Sequence, residues 1–474
     1  MREDLVDWIS LCTDQLQAAY SKDDEARMLV RALVTQYELC VLQLLRKNRT
    51  GRILDQIKTR LADLHYKRKN QQRPTSFKLT SMAPNEPTDI LFWPFQPMHV
   101  ENIKSLYPVA LKKGMRLKVF TQNPALQDGI ADSEGFIQLD NLSPKRLNYK
   151  DFSIGRQLVQ ASKKLPRFKG VSFHEVMQLS LSSAFSWIYY TRDYFHRLMQ
   201  QYQPKTIFVG NDVTYVGSTV CHLSKKAGTP TFTMMHGSIK SELWKYSNAD
   251  CFFLFGEKDK ATMLRRGLDA SGLCISGSPK LEQKIATYKN VAGVEKIILV
   301  ALSGPGHSIT IEHHEQTIQL LEQMVFEYPH HQFVFKLHKK DRLFYYRNIR
   351  SFSNAEIIPY GDEHYPSDVF YWLSKAAVLI TGASSTAIEA MVLGVPVITV
   401  DLLGHLSTID YIKKDISLHT TDFMTLKKNL NAVFSQNGVL EQHLSKSKAF
   451  AQSAYAHPAE GSAALIVQRI QEYL

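Results

Sequence analysis

Residues 378–401, V-L-I-T-G-A-S-S-T-A-I-E-A-M-V-L-G-V-P-V-I-T-V-D, leave this chain few folds to choose from. The apolar run 377–380 suits a strand buried on both faces, and Thr381, Gly382 and Ala383 then supply small residues for a sharp turn. Ser384 or Ser385 can cap a helix whose apolar face is Ala387, Ile388, Ala390, Met391 and Leu393, with Gly394 and Pro396 as its stop. Residues 395–400 read as a second buried strand. The result is a βαβ unit whose turn offers hydroxyls and N–H groups at the carboxyl edge of a parallel sheet, a place suited to a phosphorylated ligand. A membrane span is excluded, because Glu389 sits mid-segment and Gly394-Val395-Pro396 would break the helix.

At 474 residues the chain exceeds the length at which single cores stop growing, so two domains and an accessory segment are expected. With 44% apolar and 22% charged residues it has the balance of a globular protein. A net charge of +12 favours an anionic partner without choosing among nucleotide, acidic polymer, nucleic acid and membrane surface. The N-terminus, Met1-Arg2-Glu3-Asp4-Leu5, lacks a signal-peptide pattern, which leads to a cytoplasmic expectation. Cys12, Cys40, Cys221, Cys251 and Cys274 form no C-x-x-C pair and read as reduced thiols packed as small apolar groups.

Residues 1–80 carry helical spacing, as in Leu5, Trp8, Ile9 and Cys12, then Leu29, Leu33, Tyr37, Val41 and Leu44, then Ile53, Ile57, Leu61 and Leu64. They read as a helical accessory segment, ending in a basic run, 66–74, taken as a linker. A first α/β domain is expected over 85–285. It opens with strand 89–93, a helix containing Ile103, Leu106, Tyr107 and Ala110, and strand 116–120. Helices near 151–164 and 173–202 follow, then strands at 206–209, 231–235, 251–255 and 274–276, with a helix at 218–227. Residues 280–295 read as a polar connection. A second α/β domain over 290–445 contains strands 296–302, 332–337 and 355–358 before the organising unit. The closing residues 446–474 are expected to cross back onto the first domain and bury Leu465, Ile466 and Ile470.

The unusual polar residues fall at strand ends. In the first domain these are His99, Asn211, Asp212 and His236, and in the second Ser303, Gly304, Lys336, His338, Ser384, Ser385, Thr386 and Glu389. The imidazole of His236 can accept a proton near pH 7, and Asp212 is the rival base. His307, His313, His314, His330 and His331 lack zinc-ligand spacing and read as solvated. No Asp-x-Asp at a strand end demands a metal.

Taken in this order, the chain resembles the GT-B glycosyltransferases over residues 85–474. G-N-D at 210–212, leading through A-G-T-P-T-F-T-M-M-H-G at 227–237, is similar to bacterial capsule polysaccharide transferases and CDP-glycerol glycerophosphotransferases. F-K-L-H at 335–338 is similar to their Lys-x-His-Pro motif, with Lys339 in place of proline, and G-A-S-S-T-A-I-E-A at 382–390 to their donor-phosphate motif. The resemblance implies an α/β fold of two Rossmann-like domains facing across a cleft, with an N-terminal helical segment. It also implies transfer of a sugar from a nucleotide donor to a surface polysaccharide or glycolipid, without metal or other cofactor. Ser303, Gly304, Lys336, His338, Ser384, Ser385, Thr386 and Glu389 would bind the donor, His236 or Asp212 would act as base, and His99 and Asn211 would lie on the acceptor side. Nucleic acid is not an expected partner; peripheral contact with the inner face of the cell membrane is allowed. A CDP-polyol phosphotransferase, a nucleotide-sugar 2-epimerase and a non-catalytic glycan- or nucleotide-binding scaffold are the alternatives.

Overall fold

The computed structural model describes residues 2–34, 36, 37, 40, 41, 44, 87–121, 126, 135–137, 147–235, 242–288, 297–305, 310–382, 384–404, 410–435 and 438–474. The basic run 66–74 and the third helical run of the N-terminal segment lie outside them. Contacts divide the chain into two units. Unit 1 comprises Met1–Leu254, Asp259–Ser276 and Ala463–Leu474, and unit 2 comprises Phe255–Lys258 and Gly277–Ser462.

In unit 1 the strands are β1 (Ile90–Trp93), β2 (Leu117–Phe120), β3 (Phe136–Ile137), β4 (Arg167–Phe168), β5 (Val171–Ser172), β6 (Thr206–Val209), β7 (Thr231–Met234), β8 (Cys251–Leu254) and β9 (Leu273–Ile275). Seven of them form a parallel sheet ordered β3-β2-β1-β6-β7-β8-β9, while β4 and β5 make a small antiparallel hairpin. The runs I-L-F-W, T-I-F-V and C-F-F-L are buried throughout because each face of the sheet has its own core. Alternation sends Leu91, Trp93, Ile207 and Val209 to one core and Ile90, Phe92 and Phe208 to the other.

The first core takes in helix Phe173–Tyr202, which starts at a capping box of Ser172 and Glu175. It also takes in the N-terminal helices Arg2–Ala19 and Asp24–Ala32. Trp8 stacks on Phe168 at 5.5 Å, and its indole N–H donates to the Pro166 carbonyl at 3.0 Å. The described N-terminal helices are therefore part of the unit 1 core, where the sequence suggested a separate accessory segment. On the other face, helix Ser462–Gln471 buries Ile466, Val467 and Ile470 in a core with Phe92, Phe208 and Phe232. Leu465, expected among them, is only half-buried.

Unit 2 contains β10 (Ile297–Ala301), β11 (Phe333–Lys336), β12 (Ala355–Ile358), β13 (Ala376–Thr381), β14 (Val397–Val400) and β15 (Leu418–Thr420). They form a parallel sheet ordered β12-β11-β10-β13-β14-β15, again with a core on each face. The stretch read as a polar connection holds helix Pro279–Tyr288. Only Pro279 and Leu281 of it are buried, an apolar face too narrow to register as a period. No described helix is long and apolar enough to cross a membrane.

Candidate nucleotide site in unit 2

The chain leaves β10 for β11 on one side and later returns to β13 on the other. This reversal sets the loops after β10, β11 and β13 side by side at the carboxyl edge, where open α/β sheets take their ligands. The eight residues expected to contact a donor lie on these three loops, at the end of β11 and in the first turn of the helix after the third loop. Gly304, in the first loop, has φ +66°, and a Cβ there would lie 3.0 Å from the Asp341 backbone nitrogen. Glycine thus satisfies both the left-handed backbone and the close approach of the second loop.

That second loop begins at Lys336 and His338, both half-buried. Burial lowers the pKa of Lys336 while Asp368 pulls it back up, and burial together with Lys339 and Lys340 lowers that of His338. The loop is held by Asp341. Its backbone N–H donates to the His338 carbonyl at 2.7 Å, and its carboxylate accepts from the Tyr346 hydroxyl at 2.6 Å and the Arg342 N–H at 2.9 Å. His314 Nε2 lies 3.0 Å from the same carboxylate, with both side chains 1% exposed. His313 and His314 are buried, against the expectation that they would be solvated, because helix Ile311–Glu327 begins early enough to point them inward.

In the third loop the helix is short, Thr386–Val392, and Ser385 stands at its cap without a side-chain bond to it. Ser384 does the local work instead. Its Oγ accepts from the Thr386 N–H at 3.2 Å and donates to Thr386 Oγ1 at 3.1 Å. The buried Tyr411 hydroxyl accepts from the Ser384 N–H at 3.0 Å and reaches the Ser384 carbonyl at 3.1 Å, strapping the turn in place. Ser385 is left exposed, its hydroxyl open to a ligand.

Burial pushes the Glu389 carboxyl up to about 7, with Lys280 acting to lower it and Asp368 to raise it. Because this lies above the ordinary 4.5, the folded protein holds the proton more tightly than the unfolded chain. Glu389 therefore favours folding most below the unfolded value, and that share is lost as pH rises through about 7. Relative to Glu389→Gln, wild-type stability should fall by roughly 2 kcal/mol across this window, after allowance for partial exposure. Denaturant titrations at several pH values check this, and parallel pH profiles for the two proteins would contradict it.

Unit 1 has its own reversal between β1 and β6. There His99 lies in helix Pro97–Lys112, 1% exposed, with its Nδ1 accepting from the Phe95 N–H at 3.4 Å. A Cβ on Gly210 would stand 2.3 Å from that ring nitrogen, so His99 fills the reversal where an acceptor-side contact was expected. Asn211 is turned inward, its Oδ1 accepting from the Val213 N–H at 3.0 Å. Asp212 is 0% exposed; its Oδ2 accepts from the Ser247 hydroxyl, from the Asn248 N–H at 2.6 Å and from the Ala249 N–H at 2.9 Å. Burial raises its pKa and these bonds lower it. Through these bonds Asp212 anchors the loop at 247–249. His236 lies outside the described residues.

No protein-family model matches the sequence, and no curated relative matches it. Solved structures do. UDP-GlcNAc 2-epimerase from Neisseria meningitidis bound to UDP-GlcNAc is similar at TM-score 0.50 and 13% identity, over 81% of this chain and 100% of that one. S. aureus MnaA with UDP gives 0.50 and 12%, over 81% and 96%. The glycotransferase of kitacinnamycin gives 0.50 and 10%, over 82% and 99%. What is shared is the fold. It is the pair of Rossmann-like units expected of a GT-B protein, and it does not single out capsule or CDP-glycerol transferases.

Sequence reasoning passed over four residues that shape these sites. Asn102 donates to the Met235 carbonyl at 3.1 Å and fixes the backbone just before His236. Tyr411, Asp341 and Asp368 are the others, the last paired with Lys284 and accepting from the Tyr288 hydroxyl at 3.3 Å. Each has a partner far along the chain, Met235 for Asn102, Ser384 for Tyr411, His314 for Asp341 and Lys284 for Asp368, which no motif exposes. Among the described residues no group of three or more His, Cys, Asp or Glu is placed to hold a metal ion.

Proposed function

We propose that the chain is an enzyme acting on a nucleotide-activated sugar, with the nucleotide diphosphate held by unit 2. The observation that carries this reading is the meeting of three loops at the β10 reversal: Gly304 admits close backbone approach, Lys336 and His338 supply positive charge, and Ser385 and Thr386 supply hydroxyls. Glu389, one turn into the helix, is the acceptor for a ribose or sugar hydroxyl. The reaction favoured is interconversion of the sugar while it remains on the nucleotide, as in UDP-GlcNAc 2-epimerases. Two of the similar structures are enzymes of that kind or hold UDP. Transfer to a glycan or glycolipid acceptor is the second reading, supported by the likeness to the kitacinnamycin glycotransferase. In either, His236 is the group proposed to take a proton from substrate.

Calorimetry with UDP, CDP, CMP, GDP and dTDP tests the nucleotide, and NMR of UDP-GlcNAc incubated with and without acceptor tests the reaction. Inversion at the sugar C2 supports interconversion, a glycosidic product supports transfer, and a phosphodiester product from a CDP-polyol overturns both. Replacing Ser385 by alanine and Thr386 by valine removes the two hydroxyls offered to the nucleotide, each charge-assisted bond being worth about 1.5–3 kcal/mol. Nucleotide affinity should drop more than tenfold in a protein that still folds. Unchanged affinity would reduce the turn to a structural element.

A further inference from the structure

The segment that continues from the His338 loop carries charge and apolar surface that the nucleotide reading does not use. After Asp341 the chain makes two short 3-10 turns, Leu343–Tyr346 and Ile349–Ser351. At three residues per turn, side chains three apart eclipse, so such a segment has an inner row and an outer row. Tyr346 and Ile349 make the inner row, 1% and 0% exposed, and the Tyr346 hydroxyl is tied to Asp341. Phe344, Arg347 and Arg350 make the outer row. Phe344 is 64% exposed, and the Arg347 guanidinium lies 4.5 Å from its ring centroid. Leu343 beside it is 40% exposed, and Lys339, Lys340 and Arg342 are exposed as well.

Between 339 and 350 the chain therefore exposes five cations and two apolar side chains. Among the described residues, none of Lys339, Lys340, Arg342, Arg347 and Arg350 is ion-paired with a carboxylate. Asp341, the one acidic residue between 338 and 350, is turned inward to His314 and Tyr346. The buried inner row also keeps Phe344 from folding back onto the core.

We propose that this patch docks unit 2 on an anionic lipid surface, with Leu343 and Phe344 entering the headgroup layer and the cations meeting lipid phosphates. Charge complementarity selects a polyanion, and the apolar pair selects lipid among polyanions. A nucleic acid would satisfy the cations yet leave Leu343 in water. Each Lys or Arg near an acidic bilayer strengthens binding by roughly fivefold, and an inserted aromatic body with flanking cations is a recurrent interfacial arrangement. Docking here would carry the His338 loop to the membrane, since Asp341 ties that loop to the patch.

The test is co-sedimentation of the full chain, without nucleotide, with vesicles of phosphatidylcholine alone or mixed with phosphatidylglycerol. Binding should require phosphatidylglycerol and weaken with added salt. Leu343→Ser with Phe344→Ser, which keeps every charge, should weaken it about tenfold while thermal melting stays at the wild-type value. Binding retained by the serine variant, or absent from the acidic vesicles, would overturn the proposal. So would a single-stranded oligonucleotide bound as tightly as the vesicles and insensitive to the serines, because the patch would then be a general polyanion site.

Discussion

Alanine at position 212 should lower the stability of unit 1 by roughly 3 kcal/mol or more. The Ser247 hydroxyl and the Asn248 and Ala249 N–H groups would lose their shared acceptor, and each buried donor left unsatisfied costs about 1–3 kcal/mol. Denaturant melting measures this directly. The fraction that still folds should keep much of its turnover, because the anchoring oxygen is not available to substrate. A variant that melts like wild type but has lost turnover would restore Asp212 as the base that its place after a strand suggested.

Asp341→Ala should act on unit 2 in the same way and with similar size. It leaves the Tyr346 hydroxyl, the Arg342 N–H and the His314 ring without the carboxylate they share, again roughly 3 kcal/mol or more. It should also weaken nucleotide binding in the folded fraction, because Asp341 fixes the His338 loop and packs against Gly304. Asp341→Asn keeps an acceptor in place and should recover most of both losses. Calorimetric titration of nucleotide beside thermal melting distinguishes the two effects. An alanine variant with wild-type melting and affinity would mean that the buried network is dispensable.

The two predictions mark where the sequence stopped being legible. Strands such as I-I-L-V-A and A-A-V-L-I-T announce themselves because they are buried on both faces, so their composition alone reports their surroundings. The expected donor residues all follow β10, β11 and β13, strands that stand side by side in the sheet. What the sequence does not carry is the partner of a polar side chain. Asp212 bonds residues 35 to 37 positions away, and His314 meets Asp341 across 27, so each looked like a chemical group in search of substrate or solvent. Helix Pro279–Tyr288 was missed for another reason, since it buries too little of itself to leave a period.

The way the chain threads its two units bears on its synthesis. Ile466, Val467 and Ile470 complete a core with Phe92, Phe208 and Phe232, residues made more than 200 positions earlier. While the ribosome translates all of unit 2, helix Pro97–Lys112 covers only its share of that face, and the share of the last helix stays open to water or to a holding chaperone. Unit 2, whose main segment ends at Ser462, can close before it. The unit that begins first thus finishes last. A nascent chain stalled before residue 462 should consequently be captured by hydrophobic-surface chaperones through unit 1, and release should follow translation of the last helix.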